Sequence, residues 1–98
     1  MNSIQEIQKE FFETLSSIQD NAVYQALAEY DESDSLEDLL YNTTYEAIAS
    51  FCELLDGYTN NKLQFDLIDM RSNKSIKEGI QMHDVCANYL KWETPNKE

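Results

Sequence analysis

The sequence has little that would interrupt a helix. Its 98 residues include two glycines and one proline, the residue types that most often break regular secondary structure. It has no apolar run of the roughly 18 residues that a membrane span needs, and it does not begin with a basic segment followed by an apolar one, as a secretory signal would. We therefore expect a single helix-rich domain over residues 1–98, located in the cytoplasm, with both cysteines reduced.

Basic residues are missing from the middle of the chain. Nineteen acidic and seven basic side chains give a net charge of −12, and no Lys or Arg occurs between Lys9 and Lys62. Residues 10–61 carry twelve acids, whereas residues 62–98 balance six acids against six bases. Such a chain repels phosphate, which argues against direct binding of nucleic acids or of anionic membranes. A basic protein is the expected partner.

The spacing of apolar residues predicts an α+β fold, mostly helical, with about four helices. One stripe covers 4–18, and a second covers 23–30 after a potential cap at Asp20; whether they form two helices or one bent helix is left open. The third helix is predicted to start at a Ser35 cap and to end near Gly57. Its buried stripe is expected to contain Leu36, Leu39, Leu40, Thr43, Ala47, Ile48, Phe51, Cys52 and Leu55.

A β-hairpin is predicted between the third and the last helix. Residues 63–67 alternate apolar with polar side chains, which is typical of a strand with one covered face. Residues 71–74 then form the connection and 75–80 the returning strand, while 93–98 are expected to fray at the end of the chain. The apolar side of the last helix comprises Met82, Val85, Cys86, Tyr89 and Leu90, with Trp92 at the core edge.

Motifs for catalysis or metal binding are lacking. The sequence has one histidine, His83, and its spacing to Cys86 could place two ligands on one helical face. A structural zinc site needs four ligands, and no nucleophile motif accompanies the histidine. We therefore expect a protein that is not an enzyme and has no cofactor or bound metal, in which His83 and Asp84 form a polar cluster at a helix start.

The highest density of acids marks a candidate partner-binding site. Six of the ten residues from Glu29 to Asp38 are acidic, and five of the six tyrosines lie within residues 10–61. Tyrosine provides contact area at low entropic cost, although Tyr45 and Tyr58 are expected in the core. The alternative is an ordinary solvated face. The predicted partner-binding residues are Glu29, Tyr30, Asp31, Glu32, Asp34, Glu37, Asp38 and Tyr41.

Size, acidity, helical content and a surface of tyrosines and carboxylates make the chain similar to the immunity proteins that bacteria produce against their own nuclease toxins. Residues 53–58 (ELLDGY), with Met82-His83-Asp84 and Tyr89-Leu90 later, also resemble a pattern in small bacterial proteins encoded near toxin genes. The adjacent tyrosine pair that anchors colicin-type immunity proteins is absent, so the resemblance assigns no residue roles. It implies inhibition of a basic toxin or nuclease by covering its active site or nucleic-acid channel.

Two other functions stay open. A phage or plasmid protein that displays carboxylates in place of phosphates would inhibit a DNA-binding enzyme as a nucleic-acid mimic. A structural or regulatory adaptor would instead use the charge-balanced residues 62–98, and its binding would then depend weakly on salt. In each case we expect a monomer.

Overall fold

A computed structural model describes residues 3–58 and 64–93, and the side chains of the first helix from Glu6 onward. Over these ranges the fold is α+β and mostly helical, as predicted. Two long helices are followed by a small hairpin and a short C-terminal helical segment. The elements are α1 (Ser3–Glu29), α2 (Leu36–Leu55), β1 (Ile68–Asp69), β2 (Lys74–Ser75), α3 (Met82–Val85) and a 3₁₀ turn (Cys86–Asn88).

The first two predicted helices are one continuous helix, α1. The described ranges therefore contain three α-helices, and the prediction of about four is wrong. Asp20 and Asn21, where a break was considered, lie exposed within α1. No Gly or Pro occurs between residues 3 and 29, and solvent-exposed Asp or Asn costs a helix much less than either. The helix therefore continues through this point.

Both predicted ends of α2 are confirmed. The Ser35 side chain accepts a hydrogen bond from the Asp38 N–H at 3.1 Å, and the Asp38 carboxylate accepts one from the Ser35 N–H at 3.1 Å. This reciprocal pair satisfies two backbone donors at the helix start. Beyond the other end, Gly57 has a φ of 92°, a left-handed conformation that favours glycine.

The core lies between the two long helices. Ile18 of α1 and Leu54 of α2 are its buried centre, surrounded by the half-buried Phe11, Leu15, Phe51 and Phe65. Further along α1, the small Ala22 and Ala26 are buried as well. The ring of Phe65 meets that of Phe11 edge-on at a centroid distance of 5.2 Å. The segment after α2 therefore packs onto the helix pair.

The hairpin lies between α2 and α3, where the sequence predicts it, but it is shorter and shifted. Residues 64–67 are irregular, Leu63 lies outside the described residues, and β1 pairs antiparallel with β2 through Ile68–Ser75 and Asp69–Lys74. The carboxylate of Asp66 accepts hydrogen bonds from the Leu67 N–H at 2.7 Å and the Ser75 hydroxyl at 2.6 Å. Such local side-chain bonds compete with a regular strand ladder.

The last helix is also shorter than predicted. Only Met82–Val85 is α-helical, a 3₁₀ turn follows, and none of these residues is fully buried. A segment without a buried stripe gains little tertiary support for a longer helix. Trp92, expected at the core edge, is 52% exposed and contacts the Tyr45 ring edge-on at a centroid distance of 5.5 Å. Most of the predicted frayed tail, 94–98, lies outside the described residues. No described helix has an apolar stretch sufficient to cross a bilayer.

Lys77 joins the hairpin to the end of α2. Its ammonium group donates hydrogen bonds to the carbonyl oxygens of Leu55, at 2.6 Å, and of Phe65, at 2.7 Å. The last carbonyls of a helix have no partner within the helix and carry partial negative charge, so a cation there is favourable. One side chain thus closes α2 and holds the segment that carries Phe65.

Replacing Lys77 with Met tests this contact, since Met keeps the aliphatic length and removes the ammonium group. We expect the free energy of unfolding to fall by about 2 kcal/mol, because hydrogen bonds from a charged donor are lost. Urea denaturation followed by circular dichroism measures it. Lys74→Met, at an exposed position of β2, is the control. Equal stability of the two variants would contradict the assigned role.

Candidate functional site

Six of the predicted carboxylates converge at one end of the helix pair. We call residues 29–38 the acidic tip: α1 ends at Glu29, residues 30–35 connect, and α2 begins at Leu36. The tip contains no Lys or Arg. The side chains of Glu29, Asp31, Glu32 and Glu37 are exposed, Asp34 is half-buried and Asp38 is buried. Their charges add to a negative potential concentrated at this end of the molecule.

The connection in the acidic tip is held by its own side chains. Asp31 accepts hydrogen bonds from the Glu32 N–H and the Ser33 hydroxyl, both at 2.8 Å. Asp34 accepts one from the Asp31 N–H at 2.9 Å, and its own N–H donates to the Asp31 carbonyl at 2.9 Å. Asp and Ser commonly organise turns in this way. The connection is therefore exposed and also ordered as a turn.

Asp38 differs from the other predicted partner-binding residues. The residue is 6% exposed, and its carboxylate accepts the hydrogen bond from the Ser35 N–H that closes the helix cap. Replacing it would therefore disturb the start of α2. In this position Asp38 adds negative charge beneath the surface rather than a contact on it.

A cleft of about 170 Å³ lies inside the acidic tip. Glu29, Asp34 and Asp38 line it together with the Tyr30 ring, and Trp92 and Glu93 close it from the C-terminal side. The Tyr30 hydroxyl donates to the Asp34 carbonyl at 3.2 Å, and the Asn42 amide donates to Glu29 at 3.0 Å. Four of the eight predicted residues thus meet in one cleft, while Asp31, Glu32 and Glu37 surround it on the surface.

Tyr41, the remaining predicted residue, lies elsewhere. It is half-buried and lines a groove of about 210 Å³ between α2 and residues 89–91, together with Ile48, Tyr89 and Leu90. The cleft of the acidic tip and this groove are separate cavities, and residues from the first turns of α2 line both of them. Tyr45 is half-buried, as expected of a core member, whereas Tyr58 is 62% exposed, so its predicted place in the core is wrong.

Sequence reasoning also misplaced the apolar face of α2. Leu36, Leu40 and Ile48 were expected in the buried stripe, but they are 66%, 57% and 44% exposed. The spacing of the nine stripe residues could have indicated this. They occupy two adjacent lines on the helix, and a single neighbouring helix covers only one of them. The line with four-residue steps from Leu36 to Ile48 is the one left exposed.

A second polar cluster lies at the opposite end of α2. Asp56 accepts hydrogen bonds from the N–H groups of Met82 and His83 at 2.9 and 2.8 Å, and it contacts the His83 ring Nδ1 at 2.6 Å. The His83 Nε2 lies 3.3 Å from Asp84, and the Tyr58 ring meets the imidazole edge-on at 5.2 Å. His83 and Asp84 thus occupy the helix start, as expected, with Asp56 as a partner that the sequence did not indicate.

The two partners shift each other's protonation. Burial raises the pKa of Asp56, but the hydrogen bonds from the backbone and ring of His83 and from Met82 outweigh it, and the net pKa is lowered. The hydrogen bond to Asp56 raises the pKa of His83 against the opposing effect of partial burial, and the Asp84 carboxylate raises it further. The cluster therefore favours an ion pair that fastens α3 to α2.

The two cysteines are free thiols from different elements that come together beside this cluster. Cys52 of α2 is buried, whereas Cys86 is half-buried and lies 3.7 Å from the His83 carbonyl. Burial, and then the neighbouring Cys86 thiol, raises the pKa of Cys52 to about 11. A thiol in that state is a poor nucleophile at neutral pH.

Among residues 3–58 and 64–93, no group of three or more His, Cys, Asp and Glu side chains is arranged to hold a metal ion. Comparison of the chain with models of known protein families, with curated protein sequences and with solved structures finds no significant match.

The Asp56–His83 contact predicts how stability depends on pH. The lowered pKa of Asp56 contributes stability that is lost as the pH falls below the ordinary carboxyl range of about 4. The raised pKa of His83 contributes stability that is complete below about pH 6.5 and is lost as the pH rises through the higher folded-state value. Chemical denaturation from pH 3 to 9 should show the greatest stability between these limits.

His83→Gln is the matched variant for this pH series. It should remove the loss of stability above about pH 6.5 that is specific to the imidazole, and reduce but not abolish the loss on the acidic side, because the N–H groups of residues 82 and 83 still lower the pKa of Asp56. An NMR titration of His83 with a pKa at or below 6.5 would contradict the contact.

Thiol labelling tests the environment of the cysteines. At pH 8, iodoacetamide should alkylate Cys86 quickly and Cys52 about a hundredfold more slowly, since Cys52 is buried and its thiolate fraction is lower. Peptide mass spectrometry of timed samples assigns the two rates. In the Cys86→Ser variant, the remaining thiol should react slowly until urea is added. Equal labelling rates in the native protein would be inconsistent with this arrangement.

Proposed function

We propose that this protein is a non-catalytic binding module that contacts a basic protein through its acidic tip. The observation that carries the proposal is the group of exposed carboxylates, Glu29, Asp31, Glu32 and Glu37, at the end of a helix pair whose sequence from 10 to 61 contains no base. A charge field of one sign at one end of a molecule orients and attracts a partner of the opposite sign.

The construction of the acidic tip supports the proposal. Its turn is ordered by the hydrogen bonds of Asp31 and Asp34, so the exposed carboxylates are presented from a formed backbone. A preorganised surface loses less conformational entropy on binding. The Tyr30 ring beside them is exposed and tethered through its hydroxyl, which suits an anchor at the edge of an interface.

The partner class we propose is a basic toxin or nuclease, or another enzyme that binds nucleic acids. Such an enzyme carries a basic groove for phosphates. A cluster of carboxylates seated in that groove would exclude the nucleic acid by occupying the sites that phosphates use. Inhibition would then follow from coverage of the channel or active site, as expected of an immunity protein. A nucleic-acid mimic would use the same surface, and the identity of the partner separates the two.

Charge reversal at the tip tests this function. Glu32 and Glu37 are suitable because both side chains are exposed, and the turn is held instead by Asp31 and Asp34. With the partner captured by the tagged protein and identified by mass, stopped-flow mixing measures association. The double variant Glu32→Lys, Glu37→Lys should associate about tenfold more slowly at low salt, with a smaller difference at 0.5 M salt, where screening is strong.

The matched control is the double variant Glu53→Lys, Glu78→Lys, in which two exposed acids near the other end of α2 are reversed. Each Glu→Lys change adds two charges, so both variants go from −12 to −8. The control should associate at nearly the rate of the unaltered protein. If both variants slow association equally, only the net charge of the protein matters. If neither variant slows association, the acidic tip is a solvated face, and the result favours the interpretation as an adaptor.

A further inference from the structure

An apolar line runs along the outer surface of α2. Leu36, Leu40 and Ile48 follow one another at four- and eight-residue steps, with the exposed Thr44 between them. All three apolar residues are at least 44% exposed. Residues four apart follow one inclined ridge of a helix, so these side chains form a slanted line about 18 Å long that turns by about 120° around the helix axis between Leu36 and Ile48. Further along α2, Phe51 and Leu55 instead line a cavity together with Phe65 and Leu67, from the segment before the hairpin.

A groove adjoins this line. Tyr41, Thr44 and Ile48 of α2 form one wall, and Tyr89 and Leu90 form the other. The groove volume of about 210 Å³ suits one or two large apolar side chains. Tyr89 is exposed, so it can swing against a bound group. Leu40 lies one helical turn before Thr44 of the groove wall, and we call the line together with the groove the α2 face.

The charges at the two ends of the α2 face differ. Glu37, exposed in the first turn of α2, lies one turn before Leu40 and Tyr41, and the rest of the acidic tip is directly beyond it. Lys91 lies at the other side of the groove. An apolar surface bordered by an acidic end is complementary to an apolar segment that carries bases.

We infer that the α2 face binds an amphipathic helical segment of the partner, with aliphatic or aromatic side chains along one side and Lys or Arg toward the end that meets Glu37. The line of three apolar side chains matches about three turns of such a helix, which is the usual way an amphipathic helix engages an apolar surface. This inference rests on the proposed function, because it takes the same basic protein as the occupant.

A second copy of the chain is a poorer occupant. It would set one helix pair against another, each with twelve acids and no base in residues 10–61. Each copy brings a single base, Lys91, to the α2 face, against Glu37 and the other carboxylates of the acidic tip. Repulsion between the two highly charged molecules opposes such a contact, whereas a basic helix removes the repulsion and covers the same apolar side chains.

The test uses a synthetic probe of 14 residues, a Leu/Lys heptad peptide with its leucines on one helical face. The control peptide has the same composition in an order that spreads leucine around the helix. Titrated into the ¹⁵N-labelled protein, the amphipathic peptide should bind tighter than the control, and the amide shifts should concentrate at Tyr41, Ile48 and Leu90. Equal affinities, or shifts confined to the acidic tip, would overturn the inference.

Two leucines of nearly equal exposure on different helices provide a matched pair of variants for the peptide test. Leu40, on the α2 face, is 57% exposed, and Leu27, on α1, is 56% exposed. Leu40→Ser should weaken binding of the amphipathic peptide roughly tenfold, a change typical of an interface anchor, and Leu27→Ser should leave it nearly unchanged. Thermal melts of both variants check that each is folded. Similar peptide affinities for the two variants would refute the inference that the α2 face binds a basic helix. Dimerisation through the α2 face, measured by sedimentation velocity, would also refute it.

The proposed function and this inference fail separately. Glu32→Lys, Glu37→Lys should weaken both peptides at low salt if the acidic tip attracts bases, whatever the α2 face does. If the charge variant weakens peptide binding and Leu40→Ser does not, the acidic tip binds without the α2 face. If Leu40→Ser weakens peptide binding and the charge variant does not, the α2 face binds an apolar helix and the role of the acidic tip is refuted.

Discussion

Asp56 fastens the start of the C-terminal segment, residues 82–93, to α2. Its carboxylate accepts three hydrogen bonds, two from backbone N–H groups at the start of α3 and one from the His83 ring. These bonds are charge-assisted and nearly buried, and such bonds are the stronger ones. The segment that follows has no fully buried residue, so apolar packing alone holds it weakly. Asp56 is therefore the main polar contact that positions Tyr89, Leu90 and Trp92 along α2, beside the Cys52–Cys86 and Tyr45–Trp92 contacts.

The two ends of α2 accordingly have different roles. At its C-terminal end, Asp56 and Lys77 bring the hairpin and α3 against the helix through few but strong polar contacts. At its N-terminal end the carboxylates face solvent, except for the buried Asp38 in the helix cap and the half-buried Asp34. The cost of concentrating acids there is offset locally, because acids in the first turn of a helix are favourable to its dipole. The fold thereby separates the contacts that keep it together from the charges that we propose contact a partner.

Much of the architecture could be predicted from local chemistry. The Ser35 cap, the Gly57 end and the long stripe of α2 are set by neighbouring residues, and the position of the hairpin follows from the order of the patterns. What depends on distant residues was not predictable. Leu36 and Leu40 are exposed because no third element of the described residues lies over them, and Asp56 meets His83 across 27 positions of sequence. The acidic tip was located from composition, whereas the burial of Asp38 depends on the cap geometry.

The hydrogen bonds within the acidic tip also bear on how such a protein could change its partner. Asp31, Asp34 and the Ser35–Asp38 pair build the turn, while Glu29, Glu32 and Glu37 project from it. Substitution of the projecting residues would alter the pattern of charge presented outward and leave the backbone that presents it unchanged. Under the proposed function, specificity would change at a few surface positions, and the cost in folding stability would be limited to the Glu29–Asn42 hydrogen bond and the interaction of Glu37 with the helix dipole.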